Sequence, residues 1–299
     1  MLNKALHKPV MLEEVLSFLN LRDGLVVIDA TIGLGGHASH ILRKISPHGK
    51  LIGIDRDSES LELAKERLKE YSSQCVFVHD NFCNIDKILP SLHITGVDRV
   101  ILDLGVSSFQ LDNLERGFSF TNEGPLDMRM DRTDSVSAFD LVNNLTQKEI
   151  SSILWHFGQE RFSNRISRII VDQRDQTSIN TTTKLAGIVS RAMPHFKGGH
   201  RIHPATRTFQ AFRIAVNHEL ESLEIFLSKI DKFLNKEARV GILSFHSLED
   251  RIAKINFRNL AKTERFKLIV KKPLAPQPQE IKDNPRSRSA KFRVLEKIQ

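Results

Sequence analysis

The chain has 299 residues, 40% of them hydrophobic and 27% charged, with a formal charge of +8 and an isoelectric point near 9.5. That length approaches the ceiling for a single hydrophobic core, so one large domain with an insertion, or two domains, is expected. No apolar run is long enough to span a bilayer, residues 1–11 lack a signal-peptide core, and Cys75 and Cys83 give no disulfide framework, which excludes a membrane protein or a disulfide-rich secreted scaffold and points to the cytoplasm. The basic balance suits a polyanionic partner such as a nucleic acid.

A short helix is expected over Leu12–Leu19. Val26-Val27-Ile28-Asp29 then reads as a buried strand, because a β-branched apolar run suits the middle of a parallel sheet. The glycine loop Gly33-Leu34-Gly35-Gly36 follows and feeds a helix over Ala38–Lys44; glycines there permit a tight turn and close approach to a ligand. A second strand, Leu51-Ile52-Gly53-Ile54, ends in Asp55, about where a doubly wound sheet places the acid that holds a nucleotide ribose. Gly33-x-Gly35-x-x-Ala38 also fits a dinucleotide fingerprint. Asp29, however, lies where a pyrophosphate would sit, and a carboxylate there repels a diphosphate but attracts an ammonium or sulfonium. That favours S-adenosylmethionine over NAD, the alternative being that Asp29 only caps the loop backbone.

Ser58 is expected to cap a helix running to Leu68. Val76–Asp80 is a third strand, with Asn81 and Phe82 at its carboxyl end. A short helix over Ile85–Leu92 and a fourth strand over Val97–Leu102, ending in Asp103, follow. The βα rhythm then stops. Gly105–Ala138 shows turn residues and little periodicity, and it reads as the entrance to an inserted, mostly helical lobe rather than as one long loop. Thr146-Gln147-Lys148-Glu149 is a capping box, and helical patterns cover Gln147–Phe157, Gln159–Gln173 and Lys184–Ala192. Pro204 is expected to start a long helix through Leu220, continuing over Leu223–Leu234, with Arg207, Gln210, Arg213 and Asn217 sharing one polar face. A fifth strand over Ala238–Phe245, a helix over Ser247–Leu260 and closing strands over Phe266–Val270 and Ala290–Leu295 complete the chain. The expected domains are a core of residues 1–108 and 206–299 and an inserted helical substrate-recognition domain of residues 109–205.

Asp103-Leu104-Gly105-Val106-Ser107-Ser108 lies at the sheet edge where ligands bind in doubly wound folds. Methyl transfer to the exocyclic amine of a base needs a positioned nucleophile. It also needs an acceptor for the amine's hydrogen, which frees a lone pair delocalised into the ring. Asp103 is a candidate for that acceptor; capping the next turn or touching the cofactor are its plainer roles.

Several stretches in chain order resemble the RsmH (MraW) family, the cytosine-N4 methyltransferases of bacterial small-subunit ribosomal RNA. They are His7-x-Pro9-Val10, Asp29-Ala30-Thr31-x-Gly33-x-Gly35-Gly36-His37, Asp103 to Asp112, Arg116 to Phe120, Gly124 to Asp131, His203 to Ala211, Ser244 to Arg251 and Asn284 to Lys291. The resemblance implies a Rossmann-like class I S-adenosylmethionine-dependent methyltransferase of α/β class with an inserted helical domain. It implies a cytidine of the 16S rRNA decoding centre as substrate, met within the small ribosomal subunit. Carried over by position, it makes Gly35, Gly36, His37, Asp55, Phe82, Asp103 and Gln110 cofactor contacts, with Asp55 on the ribose and Phe82 on the adenine face. The chain departs from the wider class of amino-methyltransferases, many of which carry Pro-Pro-aromatic after this acid or asparagine; here the residues are Leu104-Gly105-Val106. That counts against a DNA amino-methyltransferase. A non-catalytic, S-adenosylmethionine-binding ribosome-assembly factor is the other alternative.

Candidate substrate contacts are Arg207, Arg213, His246, Arg286 and Arg288, with Lys197, Arg201, Lys291 and Arg293 as further candidate phosphate contacts. His246 is expected on the substrate side because it follows the fifth strand. His37-x-x-His40 and His195, His200 and His203 lack the partner ligands of a zinc site, so no metal is expected. Ser244, His246 and Ser247 lack a nucleophile-elbow pattern.

Overall fold

The computed structural model describes residues 9–194 and 202–299. In chain order the described elements are α1 (Leu12–Leu19), β1 (Val26–Asp29), α2 (Gly36–Ile45), β2 (Lys50–Asp55), α3 (Ser58–Arg67), β3 (Cys75–His79), α4 (Ile85–Ser91) and β4 (Val97–Asp103). Then come α5 (Ser108–Asp112), α6 (Ala138–Asn144), α7 (Gln147–Gly158), α8 (Ser163–Arg174), α9 (Thr182–Ala192), α10 (Thr206–Asn217) and α11 (Glu219–Lys229). The chain closes with β5 (Leu234–Ser244), α12 (Ser247–Ala261), β6 (Phe266–Leu268), α13 (Pro278–Asp283) and β7 (Lys291–Lys297). None of the described helices is long and apolar enough to cross a membrane.

Two compact units form. The first comprises residues 1–105 and 220–299, the second residues 106–219. In the first, seven strands lie in the order β3-β2-β1-β4-β5-β7-β6. β1 to β5 are parallel, while β7 runs antiparallel to both β5 and β6. The alternation of a strand sends successive side chains to opposite faces. Ile28, Ile52, Val100, Leu102 and Ile242 therefore pack against α4, α11 and α12, and Val27, Leu51, Ile101 and Leu243 against α1, α2 and α3. Strand order reverses between β1 and β4, which makes their carboxyl ends the switch point of the sheet.

The second unit is a helical bundle in which Ile150, Leu154, Ile166, Leu185, Phe209 and Phe212 share one apolar cluster. α10 supplies two of these residues and so packs with α7, although the sequence boundary assigned it to the core; its apolar face decides its allegiance. The capping box at Thr146 and Glu149 forms as read. The segment between α5 and α6 is not structureless. It is folded around Arg116, 1% exposed, whose guanidinium donates to the carbonyls of Arg129 (3.1 Å) and Met130 (2.7 Å).

Three local readings change. The cap of α3 is Asp57 rather than Ser58, because the Asp57 carboxylate accepts the Glu59 and Ser60 N–H groups. The long helix from Pro204 is broken: His218, at φ 50° and ψ 38°, closes α10 in the left-handed region before α11 begins. β5 starts at Leu234, four residues earlier than its apolar run suggests.

The polar face of α10 runs from exposed Arg207 to buried Asn217. Asn217 is fully buried, accepts the Met130 N–H at 2.7 Å and donates to the Met128 and Arg213 carbonyls at 2.8 Å each. Asn217→Ala strands these backbone groups and is expected to cost about 2 kcal/mol. The check is a lowered urea midpoint at unchanged m-value.

Candidate functional site

The parallel register determines where the acids meet. Asp29 pairs laterally with Gly53 on β2 and with Ile101 on β4. Asp55 and Asp103 lie two residues further along those flanking strands. With a period of two, all three carboxylates face the side of the sheet that carries the glycine loop and α2. Gly53 belongs to the same arrangement: a Cβ there would run into Ile32 of the loop. That requirement follows from a lateral pairing that sequence reading does not supply.

The loop is held by hydrogen bonds from both flanks. Asp55 accepts the Gly33 N–H at 2.7 Å through Oδ2 and the Asp57 N–H at 2.9 Å through Oδ1. Ile32 N–H donates to the Ile54 carbonyl at 3.0 Å. Thr31 Oγ1 accepts the Asp103 N–H at 2.6 Å, tying the loop to β4. Gly33 and Gly35 have φ of 50° and 72°, a conformation that glycine adopts without strain. Gly35 is the residue preceding α2 and Gly36 its first residue, so the first turn of the helix opens at the loop.

The electrostatics are those of an acidic cluster in which Asp29 is buried and Asp55 and Asp103 are half-buried. Asp29 is 2% exposed, and burial pushes its carboxyl up to about 7; Asp103 and Asp55 add to the rise, against the pull of His37 and the Thr31 N–H. Asp29 Oδ1 does accept that N–H, at 3.3 Å, so the loop-capping role is real, but one long bond does not offset its burial. Burial likewise pushes Asp55 up to about 6, despite the Asp57 and Gly33 N–H groups on its carboxylate. His37, 6% exposed, sits with Nε2 3.5 Å from Asp103 Oδ2. Among the described residues, both His37 ring nitrogens and Asp103 Oδ1 are buried without a hydrogen-bond partner. Buried polar atoms are ordinarily paired. Buried and half-buried carboxylates around a glycine loop, with donors and acceptors left over, fit a cationic, hydrogen-bonding ligand such as S-adenosylmethionine.

Phe82 lies at the carboxyl end of β3, half-buried, with its ring edge-on to Phe226 at 5.6 Å between centroids. His246 follows β5, which pairs with β4 at Leu243 and Asp103. Its ring caps α12 by accepting the Glu249 N–H, and Nε2 lies 3.2 Å from the Glu249 carboxylate. Thus Asp29, His37, Asp55 and Asp103 gather at one sheet edge. Gln110 belongs to the second unit, where it is 4% exposed and completes a capping box with Ser107 at the start of α5.

Of the basic candidates, Arg207 is exposed and donates to the Gln159 carbonyl at 3.3 Å. Arg213 is committed to Glu219 by two bonds of 2.8 Å, so a phosphate would have to compete for it. Arg286 and Arg288 are exposed on a 3₁₀ turn, Pro285–Ser289. Lys291 and Arg293 both pair with Asp250, at 3.1 and 2.7 Å. Lys197, Arg201, His195 and His200 lie outside the described residues, as does His7.

The family model described as the MraW methylase family matches residues 4–298. A protein of Clostridium botulinum named ribosomal RNA small subunit methyltransferase H is 46% identical over 98% of this chain and 99% of its own length. One of the same name from Halothermothrix orenii is 46% identical over 98% of each chain. A solved precorrin-6y C5,15-methyltransferase of Geobacter metallireducens aligns over 99% of this chain and 95% of its own at a TM-score of 0.46 and 11% identity, too distant to add to these matches. The match along nearly the full length, on a doubly wound sheet with its acids at the switch point, makes the chain a member of the MraW methylase family.

Proposed function

We propose that the protein transfers a methyl group from S-adenosylmethionine to N4 of a cytidine in the decoding centre of bacterial 16S rRNA, met in the small ribosomal subunit. The observation that carries this reading is the carboxylate cluster at the ends of β1, β2 and β4, with Asp103 Oδ1 left without a partner among the described residues. The names borne by the 46%-identical relatives support the RNA substrate.

When bound, the sulfonium cofactor supplies an already activated methyl group, so the protein's task is placement and proton management. Gly35, Gly36 and His37 line the cofactor at the opening of α2. Asp55 takes the ribose hydroxyls with the acceptor capacity left after Gly33 and Asp57, and Phe82 covers the adenine. Asp29 neutralises the positive end of the ligand. Asp103 contacts the cofactor and accepts a hydrogen bond from the cytidine amine, localising the nitrogen lone pair for in-line attack and then taking its proton. Gln110 is proposed as a further cofactor contact. A target base inside folded RNA must be unstacked to be reached, and Arg207, Arg286, Arg288 and His246 are the proposed RNA contacts, with Arg213 available only in exchange for Glu219.

The test is nucleoside mass spectrometry of small-subunit RNA before and after incubation with the protein and the cofactor. The expected product is N4-methylated cytidine at one position. Methylated duplex DNA with unmodified RNA would move the assignment to DNA, and cofactor binding without any methylated nucleoside would reduce the protein to an assembly factor.

A further inference from the structure

We infer that the second unit carries a binding groove for an unstacked base of single-stranded RNA, built between α7 and the start of α8 and centred on Trp155. This rests on the RNA substrate proposed above and adds a contact distinct from the reacting site. Trp155 is 54% exposed, the most exposed large apolar side chain among the described residues. It borders an open cavity of about 670 Å³ within this unit. Lys148, Ser152, Trp155 and His156 line it from α7, and Arg161 and Asn164 from the neighbouring helix start.

Lys148, Ser152 and Trp155 lie at i, i+4 and i+7, so they share one face of α7. The floor is fixed by buried Ser151, whose hydroxyl donates to Asn164 Oδ1 at 2.7 Å and meets Ser163 at 3.2 Å. Among the described residues no lining residue is acidic, while Lys148, Arg161 and His156 line the cavity with the indole. An indole face flanked by cations matches the two halves of a nucleotide, a flat base and its phosphate. A protein helix would instead call for a continuous apolar groove, and Trp155 is the only large apolar residue in this lining. Arg168, exposed four residues after Asn164 on the same face of α8, continues the positive track along the helix.

Trp155 is the only tryptophan in the chain, so its fluorescence reports this groove directly in the full-length protein. Titration with a single-stranded RNA oligonucleotide of about twelve residues is expected to quench it saturably. By anisotropy of the same labelled oligonucleotide, Trp155→Ala should weaken binding roughly tenfold and Trp155→Phe should restore most of it, as loss and recovery of one base–aromatic stack require. Arg161→Gln should flatten the dependence of log K on log salt by roughly 0.7, one phosphate contact on a single strand. In methyl transfer to small subunits, Trp155→Ala should raise KM and leave kcat unchanged. Bound RNA with silent fluorescence, or unaltered affinity in Trp155→Ala, would overturn the inference. So would fluorescence that follows protein concentration and ignores RNA, which would give the groove to a second copy of the chain. A methylating enzyme with a silent Trp155 sinks this inference alone, whereas a responsive Trp155 in a protein that methylates no RNA sinks the proposed reaction alone.

Discussion

Asp103→Asn is expected to lower kcat by about 10² to 10⁴, the span that loss of a positioned general base produces, while RNA affinity stays within a few-fold of wild type. The substitution is nearly isosteric, and the backbone N–H of residue 103 keeps its bond to Thr31. What changes is Oδ1, which has no partner among the described residues, and the negative charge beside His37, whose Nε2 lies 3.5 Å from Oδ2. An amide cannot take the proton from the cytidine amine. Removing one anion also weakens the hold on a cationic ligand, so cofactor affinity should fall modestly and much less than turnover. The measurement is single-turnover methyl transfer to small subunits at saturating cofactor, with calorimetry of cofactor binding alongside. Full turnover in Asp103→Asn would remove the carboxylate from the chemistry and leave it only a ligand contact.

Asp55→Ala is expected to weaken cofactor binding by a hundredfold or more, about 3 kcal/mol. Two losses combine. The Gly33 and Asp57 N–H groups lose their acceptor, so the glycine loop loses a flank. The ribose hydroxyls lose the charged acceptor proposed for them, and hydrogen bonds to charged groups contribute roughly 1.5–3 kcal/mol each. Asp55→Asn separates the two, because its amide oxygen can keep Gly33 while the charge is gone, and it should fall between wild type and Asp55→Ala. Unchanged calorimetric affinity in Asp55→Ala would dismiss the ribose contact, whatever the loop does.

The sheet was legible because its strands are short β-branched runs that stop at an acid: Asp29, Asp55 and Asp103 each mark a strand end in sequence as they do in space. The Thr146 capping box was legible for a similar reason, since its whole signal lies within four residues. What escaped was polarity buried by distant partners. Arg116 and Asn217 look like surface residues in a one-dimensional pattern. Each is buried because it satisfies backbone groups far away in sequence or across a loop. The break at His218 escaped too, because nothing in the apolar spacing announces a left-handed residue. His246 follows β5, but its role in capping α12 depends on the reciprocal bond with Glu249, which sequence alone does not show. Gly53 carried no signal at all, because its constraint comes from Ile32 on another element.

The acidic cluster at the β1 and β4 ends is proposed to receive a positive charge. Asp29 carries the sign of the test. Its carboxyl is raised to about 7 by burial, far above the usual carboxylate value near 3.9. In the ligand-free protein it therefore holds its proton through the acidic range and loses it as pH rises through 7. That contributes stability at low pH that fades between about pH 4 and 7. A cation binds the ionised form and expels the proton, so cofactor affinity should run the opposite way. The most direct measurement is calorimetry of S-adenosylmethionine binding at pH 6 and pH 8, in buffers of different ionisation enthalpy, for wild type and Asp29→Asn. Tighter binding at pH 8 with proton release at pH 6 is expected, both diminished in Asp29→Asn. Equal affinity at the two pH values, without proton release and without a difference between the proteins, would contradict it.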